Sequence, residues 1–88
     1  MTPQEFASKH QSLVWSRRGA APEVILRAAL MQPRFHTILD ACCAFGLEKV
    51  AGEWRELARE QGRDVRRAAP LVERMLRNIE AGFRDAAT

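Results

Sequence analysis

Cysteine is nearly absent from this 88-residue chain, and its two copies, Cys42 and Cys43, are adjacent. Neighbours on a helix point about 100° apart, so an ordinary bridge between them is ruled out and no third cysteine offers a partner. That excludes a disulfide framework and makes a reducing, cytoplasmic setting the simplest expectation. No apolar run approaches the roughly 18 residues that span a bilayer, and the first residues lack the apolar core of a signal peptide, so no membrane is expected. There is no glycine-rich phosphate loop, and Ser8, Ser12 and Ser16 have no nucleophile context. No strand-like alternation, internal repeat or low-complexity tract is found.

What is present is an ordinary globular composition, 47% apolar and 28% charged, in a length that suits one domain over 1–88 with little core to spare. The apolar spacing is helical throughout. Thr2-Pro3-Gln4-Glu5 reads as a capping box with proline in the first turn. Phe6, His10, Leu13 and Val14 follow it as one stripe that ends at Trp15. The segment Ser16 to Ala21 loses the periodicity and is expected to be a loop. Pro22 opens a second helix in which Val24, Ile25, Leu26, Leu30 and Met31 are apolar on nearly all sides, the pattern of a central, surrounded helix. Pro33 punctuates and begins a third.

The chain is organised around Arg34 to Leu57, which reads as two amphipathic helices joined at Gly46. Phe35, Ile38, Leu39 and Cys42 share one face of the first; Leu47, Val50, Ala51, Trp54, Leu57 and Ala58 share one face of the second. Gly46 stands where a left-handed residue would close the first helix, and Gly62 supplies another stop. Asp64 is the expected cap of the last helix, with Val65, Ala69, Val72, Met75 or Leu76, Ile79 and Phe83 as its buried stripe. Pro70 falls inside that pattern and should kink or split it. The expectation is an all-α, compact bundle of five short amphipathic helices, or six if Pro70 divides the last, with a frayed tail over 83–88.

Few residues could carry chemistry. His10 and His36 lie on or beside apolar stripes, Cys42-Cys43 with His36 is not a zinc spacing, and Cys42 is expected buried, where its thiol pKa rises. Asp40, Glu48 and the Glu53-Glu56-Glu60 row read as solvated helix faces. No catalytic residue, metal or cofactor is expected, and an enzyme is not. The net charge is +3, and all of it falls between Arg63 and Arg84, where six arginines oppose Asp64, Glu73 and Glu80. Twelve of the fourteen basic residues are arginine, which suits bidentate recognition of carboxylate or phosphate but also fits a coding bias toward Arg and Ala. On a helix wheel Arg63, Arg66, Arg67, Arg74 and Arg77 spread over more than one side.

Two functions follow from these residues. Trp15 beside Arg17 and Arg18 has the composition of an interface anchor, with Arg74 and Arg77 as further contacts, although Trp15 could equally lid the core. Arg34–Leu57 also has helix–turn–helix proportions, so a DNA-binding repressor, as a homodimer, is the alternative. Against it, the helix after Gly46 offers Glu48 and Glu53 where a duplex needs basic groups.

Beyond these readings, Ser12-Leu13-Val14-Trp15, the helix from Pro22 to Leu30, Pro33-Arg34-Phe35 with Leu39-Asp40, Phe45-Gly46-Leu47-Glu48, Trp54, and Arg66-Arg67-Ala68-Ala69-Pro70 with Arg74-Met75-Leu76-Arg77-Asn78-Ile79 together resemble a group of small bacterial proteins. These are the helical antitoxins encoded upstream of AbiEii-type nucleotidyltransferase toxins, and the similarity covers most of the chain. The resemblance implies a cytoplasmic, non-enzymatic protein that binds and neutralises such a toxin, whose substrates are RNA ends, often of tRNA. It carries no binding-site motif that can be transferred residue by residue.

Overall fold

The capping box forms as the sequence requires. In a computed structural model that describes residues 1–14, 20–60 and 62–87, the Thr2 hydroxyl accepts from the Glu5 N–H and the Glu5 carboxylate accepts from the Thr2 N–H, each at 3.1 Å. They start α1 (Pro3–Lys9), which is followed by a tight 3₁₀ turn over Gln11–Val14. The remaining helices are α2 (Pro22–Met31), α3 (Phe35–Phe45), α4 (Leu47–Glu60) and α5 (Arg63–Ala87). The bundle is therefore all-α, with five α-helices among the described residues.

α2 is the centre. Ile25, Leu26, Ala29 and Leu30 are completely buried, and α2 packs against α1, the 3₁₀ turn, α3, α4 and α5. Phe6 of α1, Ile38, Ala41 and Cys42 of α3, Val50, Trp54 and Leu57 of α4 and Val65, Ala68, Val72, Leu76 and Ile79 of α5 close around it. Full burial of one such side chain contributes about 1.5–3 kcal/mol, so this single cluster is what holds five short elements together.

Several local expectations are corrected. The stripe of Phe6, His10, Leu13 and Val14 is not one helix: the Leu13 N–H donates to the His10 carbonyl at 3.0 Å, and the tighter winding swings Leu13 and Val14 toward α2. Phe35 is 48% exposed and Phe83 39% exposed, and neither belongs to the core cluster of the described residues. Ala68 rather than Ala69 is the buried alanine of α5, Leu76 is buried and Met75 is half-buried, while Ala58 of α4 is exposed. Gly46 has the positive φ that glycine permits (φ 91°), but its ψ of 145° is extended rather than left-handed helical, and α4 begins at the next residue. Gly62 caps α5 with its carbonyl, which accepts from the Arg66 N–H at 3.0 Å; Asp64 already lies in the first turn, favourable to the helix dipole.

Pro70 does not split α5, which continues on both sides of it. Ala68 and Val72 flank the proline and are both in the core, so tertiary packing holds the two halves in one helix despite the missing N–H. Beyond Phe83 the backbone is helical to Ala87, and every described side chain there is exposed. At about 1.5 Å per residue α5 is the longest rod of the molecule, consistent with its 42 × 29 × 18 Å extents.

Candidate functional site

Ion pairs between helices hold Lys9 of α1 and Arg27 of α2. Lys9 Nζ lies 2.8 Å and His10 Nε2 3.0 Å from Asp40 Oδ2, tying α1 to α3. Arg27 Nε donates to Glu53 Oε2 at 3.1 Å, with Glu60 at 3.5 Å, and Lys49 lies 3.4 Å from Glu53. Neither Asp40 nor Glu53 is the solvated residue that the sequence suggested. Burial acts on Asp40 most strongly and would raise its pKa, but hydrogen bonds from Lys9 and His10 together outweigh it and hold the carboxyl below its usual value. The hydrogen bond from Arg27 does the same for Glu53 against partial burial.

The arginines of α5 are arranged differently. At about 100° per residue, Arg63, Arg66, Arg67, Arg74, Arg77 and Arg84 occupy an arc of about 100°, facing away from the stripe of Val65, Ala68, Val72, Leu76 and Ile79. They do not spread over several sides; the arc becomes one face once the buried stripe fixes which side is outward. All six are exposed. Arg84 pairs with Glu80 at 3.1 Å, whereas Arg63, Arg66, Arg67, Arg74 and Arg77 have no ion pair among the described residues. Glu73 stands four residues before Arg77, a spacing that suits a helical ion pair, but it accepts instead from Trp54 Nε1 at 3.4 Å. From Arg63 to Arg84 this face runs about 31 Å.

Apolar and grooved surface adjoins it. Leu71 is 47% exposed and, with Met31, Pro33, Arg34 and Arg67, borders a groove of about 280 Å³ where α5 passes the α2–α3 turn. On the other flank Arg77 and Arg55 border a groove of about 510 Å³ between α4 and α5, shared with Glu48 and Glu80. The structure thus places the predicted Arg74 and Arg77 on one face and adds Arg67, Arg34 and Leu71, which the sequence reading missed. Leu71 carried a signal in being the large apolar residue of α5 off the buried stripe. The predicted Trp15, Arg17 and Arg18 lie outside the described residues. Trp54 is core.

Elsewhere, Cys42 is buried and Cys43 exposed, and burial, with a smaller contribution from Cys43, pushes the Cys42 thiol up to about 11. Among the described residues no group of three or more His, Cys, Asp or Glu is placed to hold a metal ion, and no helix is long and apolar enough to cross a membrane. What fold and surface define is a small all-α bundle with a basic, partly apolar outer face. No protein-family model, curated protein or solved structure matches the chain.

Proposed function

We propose that this chain is a non-enzymatic, antitoxin-like binding protein that neutralises a cognate nucleotidyltransferase toxin, with the outer face of α5 as its docking surface. The observation that carries the reading is the line of five exposed arginines that have no carboxylate partner among the described residues. Guanidinium groups are built for bidentate pairing with carboxylate or phosphate. A nucleotidyltransferase mouth offers carboxylates for its metal ions, so Arg67, Arg74 and Arg77 would meet opposite charge there. Leu71 supplies an apolar contact at the edge, and Trp15, Arg17 and Arg18 are kept as further proposed contacts on the strength of their residue types alone. Arginine and tryptophan are the residue types most enriched among interface residues whose loss costs most.

Exposed arginines also suit a nucleic acid, but the helix–turn–helix version of that idea loses ground. Glu48 is in the first turn of α4 and Lys49 is paired with Glu53, so the would-be recognition helix presents little free positive charge to a duplex. Expression of a nucleotidyltransferase of the proposed toxin class, alone and together with this chain, tests the proposal. Toxicity relieved by the wild-type chain and not by an Arg67→Gln/Arg74→Gln/Arg77→Gln variant is the expected result. Unrelieved toxicity, or specific operator binding with a steep salt dependence as the sole activity, would favour the repressor reading.

A further inference from the structure

A third recess lies next to the Leu71 groove, at the N-terminus of α3, and shares Gln32 and Arg34 with it. It has a volume of about 330 Å³ and is bordered by His10, Ser12, Gln32, Arg34, His36 and Thr37. Arg34 occupies the capping position but makes no side-chain cap. The Ile38 N–H donates to the Arg34 carbonyl, so the N–H groups of Phe35, His36 and Thr37 precede the first intrahelical bond and have no helical acceptor.

The Thr37 side chain is the independent sign of a ligand. Thr37 is 4% exposed, yet among the described residues its hydroxyl has no hydrogen-bond partner. No fully buried side-chain N or O is without a partner, so the sliver of Thr37 that stays accessible includes this hydroxyl, and it opens on the recess. An accessible hydroxyl with no protein partner is free to bond a group that enters the recess. Around it stand Arg34, which has no ion pair among the described residues, the ring of His36 and the Ser12 hydroxyl. The one carboxylate nearby, Asp40, is already met by Lys9 and His10.

We propose that this recess binds a phosphate monoester. Backbone N–H groups at a helix start, a guanidinium and two hydroxyls present more donors than a carboxylate can use, and their convergence suits a tetrahedral anion. The volume is at the low end of small-ligand sites and leaves room beyond the anion for a sugar-sized group. Gln32 and Arg34 also border the Leu71 groove beside α5, but the donors of His36, Thr37 and Ser12 do not, and the site does not depend on the antitoxin reading.

Titration of the full ¹⁵N-labelled chain with inorganic phosphate in one arm and a nucleoside 5′-monophosphate in the other tests this. Saturable amide shifts at Phe35, His36 and Thr37 are expected, and the tighter arm identifies the source as free ion or ester. Thr37→Val and Arg34→Gln should each weaken binding about tenfold, while Arg77→Gln leaves it unchanged. Absence of saturable shifts in both arms overturns the site. So does an equal loss in Arg77→Gln, which would mean diffuse charge attraction. Because Thr37 is buried, its variant is compared by circular dichroism first; Arg34 is exposed, so Arg34→Gln decides the matter if Thr37→Val unfolds.

Discussion

Replacing Pro70 by alanine should stabilise the protein. Pro70 lies inside α5 and is itself exposed, and an alanine there would add an N–H that donates to the Arg66 carbonyl and relieve the ring's clash with that group. Proline in a helix interior is about 3 kcal/mol less favourable than alanine. Part of that is already recovered, because Arg66 is exposed and water can satisfy its carbonyl. A gain of about 1–3 kcal/mol remains, and at about 4–8 °C per kcal/mol for a domain of this size the melting temperature should rise by about 5–20 °C. Thermal melts by far-UV circular dichroism measure it directly, and urea titration should show a higher midpoint at unchanged slope. An unchanged or lower melting temperature would refute the reasoning. It would show that a bend at Pro70 is needed to seat Val65 and Ala68 in the core, and that the proline serves packing rather than opposing it.

Gly46→Ala should destabilise by about 1–3 kcal/mol through backbone conformation alone, since φ is 91° and a Cβ there would meet nothing within 4 Å; denaturant melts check it, and a neutral result would mean the α3–α4 joint relaxes freely. At mildly alkaline pH a thiol reagent should label Cys43 quickly and Cys42 only on unfolding, because Cys42 is buried and its thiol titrates at about 11; equal labelling of both would place Cys42 at the surface. Asp40→Asn should cost about 1 kcal/mol near neutral pH by weakening the link of α1 to α3. The folded pKa of Asp40 is below the ordinary 3.8, so its contribution is complete above that value and is lost as pH falls through the folded pKa. Wild type and variant should therefore converge in strong acid, and a gap that persists there would assign the effect to something other than the carboxylate's charge.

Most of the fold was legible because each helix announces itself locally. Thr2 and Glu5, Pro22, Pro33 and Gly46 mark ends through their own backbone chemistry, and the spacing of Ile25, Leu26, Leu30, Val50, Trp54 and Val72 gives the buried sides. What misled was anything set by a neighbour. Phe35 and Phe83 fit their stripes by spacing, but neither belongs to the core cluster of the described residues. Asp40 and Glu53 look like surface acids until α1 and α2 bring Lys9, His10 and Arg27 across to them. Pro70 reads as a breaker because the packing of Ala68 and Val72 against other helices is invisible from α5 alone. The candidate site shows the same division. The excess positive charge of the last helix was legible, whereas its gathering on one outward face required knowing which side is buried, and the Leu71 groove required knowing that the α2–α3 turn lies alongside.

The outer face of α5 is the proposed docking surface. Isothermal titration calorimetry of the chain with the proposed nucleotidyltransferase partner, for the wild type and for Arg67→Gln/Arg74→Gln/Arg77→Gln, tests that most directly. A saturable complex that loses at least about a hundredfold in affinity in the triple variant, at unchanged melting temperature, is the predicted result, since removal of three charged interface contacts at about 1 kcal/mol or more each gives that factor. Equal affinity of the two proteins, or no complex with the wild type, would contradict it.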